Sequence, residues 1–246
     1  MNLSEKRYRI ADVCFSINCR GDFTRRMCER YEINEQETAE FEISVSEEEI
    51  SRENTTGAGE FQREYLESLA IYRKLCEKML DYDTFLFHCS AVEVDGKAYL
   101  FAAPSGTGKS THTRMWRKYF GDRAVMINDD KPLIQVNKEE IFVCGTPWSG
   151  KHRLDTNKKA MIEGICLLER GTENRIIKIS PIEAYPGLYK QTYRPKEREK
   201  MKKTLELLKQ FAERIPIYRM QCTISNEAAE VAWDAMKPKT NEGNLI

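Results

Sequence analysis

The period of the apolar positions changes repeatedly along the chain, and each change marks an element. Residues 7–19 are dense in β-branched and aromatic side chains and predict one or two strands, and Phe41 to Val45 alternates apolar with polar like a half-buried strand. Residues 46–60 are charged and polar and carry Gly57 and Gly59 near their end, which predicts a mobile linker. From Glu60 to Leu80 the positions Phe61, Tyr65, Leu69, Tyr72, Cys76, Met79 and Leu80 recur at helical spacing, so one face of a helix is expected to be buried. Thr84 to Val94 and Lys97 to Ala102 read as two strands joined by Asp95-Gly96, a two-residue hairpin turn. A helix follows over 111–119 and a buried strand over 124–128. Further strands are expected at 132–136, 141–144, 161–168, 175–179 and 217–222, and helices at 182–191, 197–214 and 226–236, the last capped by Ser225. There is no internal repeat, and the last ten residues read as a frayed tail.

This pattern predicts an α/β (α+β) protein with a mixed, partly antiparallel sheet. The expected division is a small N-terminal β-rich part over residues 1–55, a main domain over 56–240 and a tail over 241–246. Lysine plus arginine and aspartate plus glutamate both number 39, so net charge gives no reason to expect nucleic acid or a membrane as partner. No apolar run approaches the ~20 residues that span a bilayer, and the first residues lack the apolar centre of a secretory signal. The eight cysteines include no C-x-x-C pair, which fits buried free thiols and a cytoplasmic location; nothing in the spacing of Cys14 to Cys28 favours a metal.

Candidate chemistry centres on Phe101 to Thr111, FAAPSGTGKST. A short apolar strand enters a small-residue turn and leaves as a helix, which is the layout of a phosphate cradle. Gly106 and Gly108 let successive N–H groups converge on an anion, with Ser105, Thr107 and Thr111 completing the loop. Lys109 would reach the β and γ phosphates, and the Ser110 hydroxyl can ligate Mg²⁺. Ala103 stands where the usual pattern has its first glycine. A second element, Val125 to Asp130, delivers two adjacent carboxylates, Asp129 and Asp130, twenty residues after Lys109, room for one helix and one return strand. Two neighbouring carboxylates can divide the work of phosphoryl transfer, one facing a metal and one accepting a proton from the attacking hydroxyl.

The Ser-Gly-Thr-Gly-Lys-Ser-Thr loop after a hairpin, the strand ending in Asp-Asp and the histidine opening the hairpin, His88-Cys-Ser-Ala-Val92, resemble the HPr kinase/phosphorylase catalytic domain over residues 84–135. More distantly, the loop is similar to that of ATP-dependent phosphoenolpyruvate carboxykinase. The resemblance implies an ATP- and Mg²⁺-dependent kinase with Asp129 as acid/base, His88 as its partner, and Asp130 with Ser110 on the metal side. It further implies a serine-type hydroxyl of a protein or peptide as acceptor, and a homo-oligomer. The chain departs from that family at Ala103, in lacking its Glu-x-Arg-Gly signature, which Glu169-Arg170-Gly171 only echoes, and in its first eighty residues.

The loop Gly145 to Arg153 adds Lys151, His152 and Arg153, side chains able to close over a triphosphate or to receive an anionic acceptor; Trp148 is open between stacking on a base and plugging the core. Two other functions stay open: a kinase for a small metabolite such as free serine, and a nucleotide-binding regulator without catalysis.

Overall fold

The computed structural model describes residues 6–34, 36–54 and 62–238. In chain order the elements are β1 (Lys6–Ile10), β2 (Val13–Asn18), α1 (Asp22–Cys28), β3 (Phe41–Ser44), α2 (Glu47–Arg52), α3 (Arg63–Met79), β4 (Thr84–Leu86), β5 (Ser90–Val94) and β6 (Lys97–Ala102). They continue as α4 (Lys109–Phe120), β7 (Ala124–Asn128), β8 (Leu133–Val136), β9 (Ile141–Cys144), β10 (Lys159–Arg170), β11 (Arg175–Ile179), α5 (Pro181–Gln191), α6 (Arg198–Arg214), β12 (Ile217–Cys222) and α7 (Asn226–Met236). The fold is mixed α/β, as the apolar pattern predicts.

A nine-stranded mixed sheet dominates, in the order β4-β8-β9-β10-β6-β5-β7, with β12 also on β10 and β11 on β12. The alternation along β6 shows why both its faces are covered. Ala98, Leu100 and Ala102 belong to a core formed with Phe211, Leu207 and Leu208 of α6 and Ala184 and Leu188 of α5. Tyr99, Phe101 and Ala103 point the other way, into a core with Met115 and Trp116 of α4 and Ala228 and Ala232 of α7.

Strand directions bring four strand ends to one edge. β5 is antiparallel to β6 and β7 is antiparallel to β5, so β6 and β7 run the same way. β10 is parallel to β6 and β12 to β10. The carboxyl ends of β6, β7, β10 and β12 therefore share one edge with the start of β5, where Ser90 lies opposite Phe101 and Ala91 opposite Asn128. Open α/β sheets bind ligands at that kind of edge.

The N-terminal strands form a separate sheet, β1-β2-β3. β1 and β2 make a hairpin turning at Ala11 and Asp12, both at positive φ, and β3 returns parallel to β2. Its apolar face joins one core with Ile71, Leu75 and Met79 of α3 and with Leu133, Cys144 and Trp148 of the large sheet's side. Among the described residues, no helix is long and apolar enough to cross a membrane. The eight cysteines are free, and all but Cys222 are buried.

Three local expectations need correction. The stretch 84–94 is two strands: β4 pairs with β8, whereas β5 pairs with β6 and β7. The break falls at Phe87 and His88, which turn to a distant segment through the Phe87–Thr192 bridge and the His88 N–H donated to the Gln191 carbonyl at 2.8 Å. Within 46–60, residues 47–52 are the helix α2, started by a reciprocal capping box between Ser46 and Glu49; residues 55–60 lie outside the described residues. The expected helix face holds at Tyr72, Cys76, Met79 and Leu80, which are buried, but widens to Leu66, Ala70, Ile71 and Leu75, while Leu69 is half-buried, Tyr65 is exposed and Phe61 lies outside the described residues. Helix α1 is an element that the apolar pattern does not predict. The first five residues and most of the expected tail, from residue 239, also lie outside the described residues.

Candidate active site

The turn between β6 and α4 has the backbone of an anion cradle. Gly106 lies at φ +76° and Gly108 at φ +127°, where an L side chain is strained, and nothing crowds either position. The requirement for glycine is therefore conformational. Ala103 is not among the residues at positive φ, and its methyl packs with Phe101 and Trp116, so a side chain is accommodated where the usual pattern has glycine. The Thr107 N–H closes the turn onto the Pro104 carbonyl at 3.2 Å. The helical ladder begins with the His112 N–H donated to Gly108, which leaves the amides of Lys109, Ser110 and Thr111 ahead of it at the positive end of α4. Ser105 and Gly106 are exposed, and Thr107, Ser110 and Thr111 half-buried.

Lys109 is 7 % exposed and folds back over its own loop, donating from Nζ to the Ala103 carbonyl at 3.0 Å. Burial pulls its ammonium below the ordinary value, with the negative charges of Asp130 and Asp129 opposing. A buried ammonium held by a single carbonyl, with a carboxylate pair nearby, is well placed to exchange that carbonyl for a phosphate oxygen.

The carboxylate pair sits at the end of β7 on the same edge. Asp129 is 5 % exposed, and its Oδ1 accepts from the Ser90 hydroxyl at 2.6 Å; Ser90 in turn lies 3.0 Å from the Thr113 hydroxyl of α4. Asp130 is turned by Asn128, whose Oδ1 accepts from the N–H groups of Asp130 and Lys131 at 2.8 and 2.7 Å. His88 reaches Asp130 and not Asp129: Nε2 lies 2.8 Å from Asp130 Oδ1. In place of the expected His88–Asp129 partnership, His88 meets Asp130 while Asp129 is held by Ser90. Burial would push the Asp130 carboxyl up, but the hydrogen bond from His88 and the charges of Lys131, His88 and Lys109 hold it below the usual carboxylate value.

A third wall is the segment between β9 and β10. Gly145 is required for close approach: a methyl there would overlap the Thr156 carbonyl oxygen and stand 2.8 Å from that of Ile127. Gly150, at φ +72°, packs against Asp130, whose Cβ would lie 3.1 Å from an added methyl. Lys151, His152 and Arg153 follow directly and are exposed, with Arg153 at φ +49°. Trp148 plugs the core: its ring stacks on Tyr72 at 4.2 Å between centroids, and its indole N–H donates to the Ser68 carbonyl. On α4, Arg114 is exposed and Arg117 half-buried.

The base of this loop is fixed by Asp155, a residue that no sequence motif marks. The Asp155 side chain is 2 % exposed and accepts from Ser149 at 2.6 Å, Tyr31 at 3.0 Å and Arg30 at 2.9 Å, so the N-terminal part grips the loop beside Asp130. The long sequence separation left no local signal for this contact. Asp155→Asn exchanges one acceptor oxygen for an amide facing buried donors. It should cost about 1–2 kcal/mol of stability in urea unfolding; an unchanged midpoint would show that the network does not hold the loop.

Among the described residues, no group of three or more His, Cys, Asp or Glu side chains could hold a metal by itself. The oxygens on offer are those of Asp130, Asp129 and Ser110, a hard-donor set that suits Mg²⁺, an ion commonly bound by one or two carboxylates plus substrate phosphates.

No family model matches the chain, and no curated protein matches it. Among solved structures, the Hpr(Ser) kinase/phosphatase from Coxiella burnetii resembles it distantly, with 9% sequence identity and a TM-score of 0.35, covering 61% of this chain and 95% of that one. At that distance the likeness assigns neither activity nor substrate.

Proposed function

We propose that the chain is an ATP- and Mg²⁺-dependent kinase that transfers the γ-phosphoryl group to a serine-type hydroxyl of a protein or peptide. The observation that carries the kinase assignment is the convergence, at one sheet edge, of a glycine-shaped loop with open amides, a buried lysine on that loop's own carbonyl, and two adjacent carboxylates; the acceptor class follows from the sequence resemblance. Phosphoryl transfer asks a protein mainly for positioning and charge compensation, and those are the parts assembled here.

In this reading the amides of Gly106, Gly108, Lys109, Ser110 and Thr111 and the Lys109 ammonium bind the phosphates, with the side chains of Ser105, Thr107 and Thr111 lining the loop. Asp130 and Ser110 would hold Mg²⁺, which when bound neutralises charge on the transferring group. The lowered pKa of Asp130 suits cation binding, since a carboxyl that stays ionised is a good ligand and a poor base. His88 acts through Asp130 as a positioning residue, fixing Oδ1 and leaving Oδ2, which lies 3.7 Å from Lys131 Nζ, to face the metal. Asp129, with Oδ1 held by Ser90, accepts the acceptor hydroxyl's proton at Oδ2. Lys151 and Arg153, on the exposed loop seated against Asp130, add positive charge at the transfer end.

The test is label transfer from γ-³²P-ATP with Mg²⁺, using the full chain and a host lysate separated by size. Label in a protein or peptide fraction is the expected result. Label confined to small molecules would replace the acceptor with a metabolite, and ATP binding without transfer to any fraction would leave a nucleotide-binding regulator.

A further inference from the structure

Strand β10 outruns its neighbour. Leu167 pairs with Ala102, the last residue of β6, while on the other side β12 supports β10 for three residues more, to Arg170 opposite Cys222. The last side chain of β10 consequently stands level with the glycine loop. Arg170 Nη2 donates to the Gly106 carbonyl at 2.6 Å. Arg170 is exposed and makes no ion pair among the described residues; the adjacent Glu169 is 3.6 Å from Arg219 instead. A guanidinium has five N–H donors and no acceptor, so most of its donors remain open at the mouth of an anion-binding turn.

The side on which it stands matters. β6 lies between β5 and β10, with β7 beyond β5, and Asp129, Asp130 and His88 all belong to the β5–β7 side. A phosphoryl group in transfer faces those carboxylates, so the part of the nucleotide leading back to the nucleoside extends toward β10. We propose that Arg170 binds the α-phosphate of the nucleotide, leaving the Gly106 carbonyl or bridging it to the phosphate. This inference rests on the kinase reading above and adds a nucleoside-side cation to it. Arginine suits the position because its planar fork can hold a carbonyl and a phosphate oxygen together.

The experiment is calorimetric titration of the full chain and of Arg170→Ala with MgATP, MgADP and magnesium pyrophosphate. Loss of a charge-assisted contact should weaken ATP and ADP by roughly tenfold, while pyrophosphate, which has no α-phosphate, changes by less than about twofold on the same reasoning. In a transfer assay KM for ATP should rise with kcat retained. Equal weakening of all three ligands would overturn the proposal, because it would mean that Arg170 only props the loop at Gly106. Unchanged ATP and ADP affinity would overturn it as well. Absence of binding by the unaltered chain would defeat the nucleotide-site reading itself, a failure visible before the variant is made.

Discussion

Asp129→Asn should reduce phosphoryl transfer by roughly 10²–10⁴-fold, the usual contribution of a positioned general base, while MgATP binding persists. The asparagine is nearly isosteric with the aspartate. Its Oδ1 can still accept from Ser90, so the buried link to Thr113 and α4 survives and the end of β7 stays in place. What disappears is the second carboxylate oxygen, the one assigned to the acceptor's proton. Lys109, Ser110 and the loop amides are untouched, so binding and chemistry separate. Initial rates of label transfer alongside calorimetric affinity make the comparison. A variant that transfers within a few-fold of the unaltered chain would remove Asp129 from the chemistry.

The second large effect concerns acid stability and originates in α4. His112 is 1 % exposed, its Nε2 accepts from the Trp116 indole N–H at 3.2 Å, and its Nδ1 is buried without a partner. Phe101 packs on the ring at 4.5 Å between centroids. Burial lowers its pKa from 6.5 to about 4. Between those values the unfolded chain binds a proton that the folded one refuses. The folded state is therefore favoured fully above the ordinary histidine pKa and loses about 3 kcal/mol as pH falls through that window. His112→Gln keeps an acceptor for the indole and cannot titrate, so its urea midpoint should fall less steeply from pH 6.5 to 4 than that of the unaltered chain. Parallel profiles would mean that His112 is protonated in the folded protein at little cost.

Legibility in the sequence followed the range of the interactions involved. The Asp95-Gly96 hairpin, the strand–loop–helix of 97–120 and the Ser225 cap were readable because each is set by neighbours a few residues apart: Asp95 at φ +52°, Gly96 at φ +81°, Ser225 accepting from the Ala228 N–H. The pairing of β6 with β5 was readable for the same reason, but not its parallel pairing with β10, sixty residues on. The α2 signal was present in Ser46-Glu-Glu-Glu49 and was masked by charge, since a solvated helix and a linker share that composition. The break between β4 and β5 was hidden because apolar side chains run through it; what interrupts the strand is pairing with residues 191–193.

The site divides along the same line. Motif spacing brought out the loop and both carboxylates as candidates. Which carboxylate His88 meets depends on a backbone turn fixed from a distance. Asp155 carries no local pattern and Arg170 only the echo in Glu169-Arg170-Gly171: the first is placed by Arg30 and Tyr31, the second by strand register.

Residue-resolved amide shifts on titration with MgATP test the central claim most directly. The account predicts saturable shifts that are largest at Gly106, Gly108, Lys109, Ser110 and Thr111, with a second group at Asp129 and Asp130 on the neighbouring strand end. Shifts confined to other surfaces, or none at millimolar nucleotide, would contradict it.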